Sequence, residues 1–133
     1  MDLSFCTIDY KKMELEFSGA NNPLYLIRDN EFIIVKADKF AIGSFDPDTH
    51  EYATHKVKIQ KGDILYLFTD GYADQFSHHA NKKITVKRLR ELIIQSSGLT
   101  GDAQKEYMKR FFEEWKGGKE QVDDVLVMCI QIP

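Results

Sequence analysis

The sequence has few cysteines and no long apolar run. Cys6 and Cys129 are the only cysteines, and neither has metal-ligand spacing around it. Both lie in apolar segments, so we expect reduced thiols in the core. No stretch approaches the roughly 18 apolar residues of a membrane-spanning helix, and the first residues lack the charged leader of a signal peptide. These absences predict a cytoplasmic protein without membrane contact.

The chain also lacks an excess of positive charge. Lys and Arg total 18 against 21 Asp and Glu, which gives a net charge of −3. Such a chain has no broad positive field for a phosphate backbone, so nucleic acid is not an expected partner. With 133 residues, of which 43% are apolar, the chain is long enough for one domain with a real core. Disorder is excluded by the same composition.

The first half of the chain alternates between apolar and polar residues, as half-buried strands do. Residues 3–8 and 13–17 predict a hairpin with one solvated face. Residues 24–27 and 32–35 predict a second hairpin, since the Asp and Asn between them tolerate a tight turn. Further strands are predicted at 52–59, after a loop around Pro47, and at 64–68, where five apolar residues indicate a strand buried on both faces.

The pattern changes to helical spacing after residue 83. Apolar residues recur every three or four positions up to Gly98, and a second run repeats every fourth residue from Ala103 to Trp115 before Gly117. We expect the aromatic stripe of the second helix (Tyr107, Phe111 and Trp115) to be core. The apolar run 125–130 predicts another central strand. Strands, two helices and a last strand predict an α+β fold with a mainly antiparallel sheet.

Acidic residues at the ends of the buried strands are the most informative feature of the sequence. Asp70 follows the strand 64–68, and Asp123 and Asp124 directly precede the last one. Antiparallel neighbours would bring these ends to one sheet edge, where Gly71 allows close backbone approach. Converging carboxylates suit a hard divalent cation such as Mg²⁺ or Mn²⁺. The alternative is structural, because Asp-Gly is a common hairpin turn and paired aspartates before a strand are often a solvated turn.

Several segments together resemble one protein family. Residues 69–74 (TDGYAD) are similar to a segment of the bacterial metal-dependent phosphatases of class 2C (PP2C), in the branch of sporulation stage II E and sigma-factor regulation. Four more segments match in order and spacing: residues 19–24 (GANNPL), 40–43 (FAIG), 62–65 (GDIL) and 123–127 (DDVLV). The resemblance covers about residues 3 to 130. It implies an antiparallel β-sandwich flanked by helices.

The resemblance also implies a chemistry and its residues. Asp70, Gly71 and Asp123 would belong to a metal site, with Asp124 a secondary candidate. In the family, two Mn²⁺ or Mg²⁺ ions activate a bridging water, which attacks phosphoserine or phosphothreonine in line. The implied partner is a phosphorylated regulatory protein, such as an anti-sigma factor antagonist. Residues 21 and 22 (both Asn) are the substrate-side candidates, although a turn built by these asparagines and the following proline is the simpler interpretation.

Departures from the family pattern qualify the expected activity. The family's early aspartate and its D-x-x-G-H-G element have no counterpart here, Asn21 stands for a histidine, and Leu126 stands for a threonine. We therefore expect residues 1–133 to be the C-terminal portion of a single phosphatase domain that is inactive by itself. Exposed sheet edges would then favour self-association by dimerisation or strand exchange. A non-catalytic module that binds a regulatory partner is the alternative function.

The histidines do not predict a metal site. His78 and His79 are adjacent in sequence, and such side chains usually diverge, so we expect both in a solvent-exposed loop. His50 and His55 neighbour lysines or other polar residues and are expected at the surface.

Overall fold

The computed structural model describes residues 1–43 and 51–133, so the predicted loop around Pro47 and the predicted surface position of His50 lie outside the described residues. The chain divides into two compact units, Met1–Leu67 with Met128–Pro133, and Phe68–Val127. The elements in chain order are β1 (Leu3–Asp9), β2 (Glu14–Ala20), β3 (Leu24–Arg28), β4 (Glu31–Val35), β5 (His55–Lys58), β6 (Ile64–Phe68), α1 (Gly71–Asp74), α2 (Thr85–Ser96), α3 (Gly101–Lys116) and β7 (Val127–Gln131).

The strands of the described residues form two sheets. Strand β2 pairs antiparallel with β1 and β5, while a four-stranded sheet has the order β4-β3-β6-β7 and antiparallel pairing of β3 with β4 and β6. Buried side chains from both sheets join one apolar cluster, as the two inner faces of a β-sandwich do. Its members are Leu15, Phe17, Leu24, Leu26, Val35, Ile59, Leu65 and Ile132. The predicted α+β fold with mainly antiparallel strands is confirmed.

Strand β2 shows why the first predicted hairpin forms. Leu15 and Phe17 are fully buried, and the residues between them point to the opposite face because side chains alternate along a strand. On that face, Glu16 forms an ion pair with Lys56 of β5 at 2.9 Å. One face is therefore apolar and the other solvated, as the alternation predicts.

The second hairpin turns through Asp29 and Asn30. Their φ angles are 49° and 64°, so both residues adopt the left-handed conformation that a two-residue type I′ turn requires. Beside this turn, Arg28 donates from Nε and Nη2 to the carboxylate of Asp63, at 2.9 and 2.6 Å. Asp63 is only 1% exposed, and its hydrogen bond raises the pKa of the Arg28 guanidinium. This partly buried pair joins the end of β3 to the turn that precedes β6.

Two strand predictions need correction. Strand β5 begins at His55 rather than at residue 52, and β7 lies at the edge of its sheet instead of the centre. Met128 and Cys129 of β7 are exposed, so the prediction that both cysteines are core thiols is also wrong for Cys129. An unbroken apolar run does not distinguish an edge strand from a central one, because that difference depends on which other strands pair with it.

The second unit contains the helices. Helix α3 buries Gln104, Met108 and Phe112, while the predicted stripe one position earlier is only half-buried (Tyr107, Phe111 and Trp115). That part of the prediction is wrong because both stripes repeat every fourth residue, and the packing of α3 selects the second one. Helix α3 ends at Lys116 and is capped by Gly117, whose φ is 52°. None of the helices in the described residues has the length and apolar character needed to cross a membrane.

Candidate metal centre

Asp70 lies between strand β6 and the short helix α1. It occupies the N-cap position of α1, and its carbonyl oxygen accepts a hydrogen bond from the backbone N–H of Asp74 at 2.9 Å. Its side chain is exposed, and within the described residues its carboxylate has no hydrogen bond or ion pair. Asp74 has a different environment, since it forms an ion pair with Lys83 at 3.1 Å. Asp70 is therefore the carboxylate of this turn that is available to an external ligand.

Thr69 connects this turn to the chain that leads into β7. Its backbone N–H donates to the carbonyl oxygen of Leu126 at 3.0 Å. Its hydroxyl donates to the carbonyl oxygen of Asp124 at 2.8 Å and accepts from the N–H of Leu126 at 2.9 Å. Three hydrogen bonds from one residue thus place the backbone of Asp124 beside the residue that precedes Asp70.

Gly71 brings the two segments into direct contact. A Cβ atom built on Gly71 would overlap the carbonyl oxygen of Asp124 and lie 3.0 Å from its carbonyl carbon and 3.3 Å from that of Asp123. A side chain there would require a backbone shift, so glycine is needed for the close approach rather than for an unusual φ. The backbone at Asp70 and Gly71 therefore packs against the Asp123–Asp124 peptide. The structure confirms that the ends of β6 and β7 meet at one sheet edge.

We call residues 120–124 the acidic segment. Within it, the N–H of Asp124 donates to Oδ1 of Asp123 at 2.7 Å, and the carbonyl oxygen of Asp123 accepts from Nε2 of Gln121 at 2.8 Å. Asp123 and Asp124 are both exposed. The segment offers carboxylate and carbonyl oxygens, which are the donors that Mg²⁺ and Mn²⁺ prefer.

The number of donors is smaller than a complete two-metal site requires. Within residues 1–43 and 51–133, no group of three or more His, Cys, Asp and Glu side chains is gathered closely enough to hold an ion. Two divalent ions carry four positive charges, which the carboxylates at this edge cannot balance alone. The residues therefore fit a divalent metal in chemical kind, but they are too few for a complete two-metal site.

The comparison with known families decides the assignment. The family model of Stage II sporulation protein E (SpoIIE) matches residues 1–133, which is the whole chain. The chain belongs to the SpoIIE family. No curated protein matches the sequence.

Solved structures similar to this SpoIIE-family chain are PP2C phosphatase domains. The SiaA PP2C domain of Pseudomonas aeruginosa superposes with a TM-score of 0.90 at 23% identity, over 99% of this chain and 52% of that one. The SpoIIE phosphatase domain of Bacillus subtilis has a TM-score of 0.66 at 18% identity, over 98% and 58%. RsbX, solved in complex with magnesium, has a TM-score of 0.67 at 16% identity, over 99% and 56%. These likenesses establish a PP2C-like fold, and the chain spans little more than half of each.

The substrate-side candidates lie in the first unit of this SpoIIE-family chain. Asn21 has a φ of 62° and donates from Nδ2 to the carboxylate of Asp2 at 2.8 Å. The N–H of Asn22 donates to the carbonyl oxygen of Ala20 at 2.8 Å, and its own carbonyl accepts from the hydroxyl of Ser4 at 2.8 Å. These bonds form the turn that precedes β3. A role of either asparagine in substrate binding stays a prediction.

The histidine pair differs from its sequence interpretation in one respect. His78 and His79 are exposed, as predicted, but their ring centroids lie 3.5 Å apart, so the side chains do not diverge. Nδ1 of His78 lies 3.2 Å from the carbonyl oxygen of Trp115, at the end of α3. This contact anchors the loop to helix α3. Within the described residues, no acidic side chain joins the two histidines in a group that could hold a metal ion.

Two residues that build the site, Thr69 and Gln75, were not among the predicted site residues. Thr69 could have been noticed because it sits between β6 and Asp70, but a threonine at the end of a strand is ordinary. Gln75 gives no sequence signal, since nothing in a glutamine that follows a short helix predicts full burial. The structure shows both contacting the chain on either side of Asp123.

Proposed function

We propose that this chain contributes one part of the divalent-metal seat of a protein phosphatase that hydrolyses phosphoserine or phosphothreonine on a regulatory protein. The observation that carries the proposal is the packing of Gly71 against the Asp123–Asp124 peptide, which brings the backbone at Asp70 beside that of two further aspartates. Membership of the SpoIIE family and the PP2C-like fold support the reaction type. Among the similar structures, RsbX is in complex with magnesium and the catalytic domain of the phosphatase PstP with two manganese ions.

The ligands that this chain would supply are oxygens. Asp70 and Asp123 would hold the ion through carboxylates, Gly71 through its carbonyl oxygen, and Asp124 would add charge at the same edge. When bound, the metal ions supply an activated water and neutralise charge on the transferring phosphoryl group. The chain's own contribution is to hold these oxygens in place before the ion arrives, through the hydrogen bonds of Thr69 and the close approach of Gly71.

Calorimetric titration with Mn²⁺ tests this proposal. We expect saturable binding by the chain and a loss of at least about tenfold in affinity for Asp70→Asn, because a neutral amide replaces a ligating carboxylate. The matched control is Asp102→Asn, since Asp102 is an exposed aspartate in the first turn of α3. Equal affinity in wild type and Asp70→Asn, or no saturable binding at all, would contradict the proposal.

Turnover is expected to be low in this chain alone, because its carboxylates are too few for two ions. Hydrolysis of a phosphoserine peptide in the presence of Mn²⁺ measures it directly. Robust Mn²⁺-dependent turnover would show that the ligand set is complete. The same deficit of ligands supports the second candidate function, a PP2C-like module that binds a regulatory partner without catalysis, and the absence of Mn²⁺ binding would favour that module.

A further inference from the structure

Gln75 is a fully buried polar residue directly after helix α1. Its exposed fraction is 0%, and its backbone leaves the helical conformation with a ψ of 129°. Burying an amide side chain costs free energy unless its donors and acceptor are paired, so the partners of a buried glutamine show what it holds.

The Gln75 side chain binds the acidic segment at two backbone positions. Its Nε2 donates to the carbonyl oxygen of Glu120 at 3.0 Å, and its Oε1 accepts from the N–H of Val122 at 3.4 Å. A third bond runs from Nε2 to the carbonyl of Phe76 at 3.2 Å. The side-chain amide therefore hydrogen-bonds to a backbone carbonyl and a backbone N–H of the residues just before Asp123, as the backbone of a neighbouring strand would.

The backbone of Gln75 is itself anchored. Its carbonyl oxygen accepts from Nε1 of Trp115 at 3.1 Å and from the N–H of Ile84 at 3.1 Å. Helix α3 and the start of α2 thus hold the residue from which the amide extends. Thr69 binds the chain at Asp124, so Asp123 lies between two fixed points.

We propose that Gln75 is a positioning residue that fixes Asp123 and Asp124 beside Asp70 for a divalent cation. The cation in this inference rests on the proposed function. The positioning of Asp123 and Asp124 rests only on the hydrogen bonds of Gln75 and Thr69. Fixing a ligand-bearing loop before binding removes the ordering cost from the binding step, so groups that hold ligands affect metal affinity without touching the metal.

The variant Gln75→Met tests the positioning in the metal-free chain. Methionine keeps the length and fills the volume but makes none of the amide's bonds. We expect the backbone amides of residues 121–124 to exchange with solvent at least about tenfold faster. The matched control is Gln104→Met, because Gln104 is also a buried glutamine, whose Nε2 donates to the carbonyl oxygen of Ser96 at 3.1 Å in the helices. Gln75→Asn, whose amide is one methylene too short, is a second variant with the same expected effect.

Paramagnetic broadening by added Mn²⁺ tests the consequence for binding. We expect the amide resonances of Asp70 and Asp123 to broaden selectively in wild type and in Gln104→Met. In Gln75→Met, the Mn²⁺ midpoint, which is the concentration that gives half-maximal broadening, should be about tenfold higher.

The outcomes separate the two proposals. Unchanged exchange of residues 121–124 in both Gln75 variants, or a Mn²⁺ midpoint equal to that of wild type, would overturn the positioning role while the proposed function stands. No selective broadening in wild type would contradict the proposed function and remove the role toward a cation. Exchange accelerated in the Gln75 variants and not in Gln104→Met, together with the shifted midpoint, supports the inference.

Discussion

The hydroxyl of Thr69 donates a hydrogen bond to the carbonyl oxygen of Asp124 at 2.8 Å, across 55 positions of sequence. The Thr69 hydroxyl oxygen also accepts a hydrogen bond from the N–H of Leu126 at 2.9 Å. A single side chain therefore pairs with the backbone on both sides of residue 125, where the chain enters β7. This relationship places the acidic segment at the end of β6, next to Asp70.

Replacing Thr69 with valine should loosen this junction. Valine has nearly the same shape but cannot pair with either backbone group, so we expect the free energy of unfolding to fall by about 1–3 kcal/mol. Thr69→Ser is the control, because it keeps the hydroxyl and should lose clearly less. Chemical denaturation of the three proteins measures the difference. Equal stability of the valine and serine variants would show that the hydroxyl bonds contribute little.

Gly71→Ala tests the close approach of the two segments. The added Cβ would overlap the backbone of Asp124, so the chain must shift, and we expect a loss of about 1–3 kcal/mol in stability together with weaker Mn²⁺ binding. Gly101→Ala is the control, since a Cβ at that helical glycine meets open space and should change stability by less than about 0.5 kcal/mol. Similar effects of the two substitutions on stability and Mn²⁺ affinity would contradict this close packing of Gly71 against Asp124.

Tyr72 should give the second unit a measurable dependence on alkaline pH. Burial raises the pKa of this phenol above its ordinary value of 10.0, and its hydroxyl donates to the carbonyl oxygen of Met108 at 2.8 Å. A group whose pKa is raised by folding stabilises the folded state, and this stabilisation is fully present below the pKa of the unfolded chain. It is lost progressively as the pH rises above the unfolded pKa, because the phenol of the unfolded chain then ionises while that of the folded chain does not.

Tyr72→Phe isolates this contribution. At neutral pH the variant should be less stable by about 1–2 kcal/mol, since the buried hydrogen bond from the Tyr72 hydroxyl to the carbonyl of Met108 is lost. As pH rises through 10.0, the stability difference from wild type should narrow, because only wild type has this phenol to ionise. Denaturation at a series of pH values gives the difference. A constant difference from neutral to alkaline pH would contradict a raised pKa.

The exposed edge strand β7 leads us to expect self-association. Met128 is 44% exposed, and the open edge of a sheet offers unpaired N–H and C=O groups to a second copy. Light scattering should show an apparent mass that rises with protein concentration. Met128→Lys should reduce this rise, because a charged edge opposes strand pairing, whereas Lys119→Met at an exposed position outside β7 should not. A concentration-independent monomer would contradict the expectation.

The sequence determined most of the local structure. The period-two pattern around Leu15 and Phe17 predicted the first hairpin, because one face of a strand in a sandwich must be apolar. Asp29 and Asn30 predicted the tight turn, since these residues tolerate positive φ. The position of Asp70 and Asp123 at the ends of apolar strands also predicted their proximity, because neighbouring strand ends share one edge of a sheet.

The tertiary structure decided what depends on partners distant in sequence. Helix α3 carries two stripes of residues at the same four-residue spacing, and the sequence does not show which one is buried. The packing that places the ring centroid of Phe112 5.1 Å from that of Tyr72 selects one of them. The edge position of β7 likewise follows from which strands pair and not from its apolar composition. The burial of Gln75 and its hydrogen-bond partners could be found only from the tertiary structure. A buried amide is stable where backbone groups distant in sequence satisfy its hydrogen bonds, and no local sequence pattern encodes such partners.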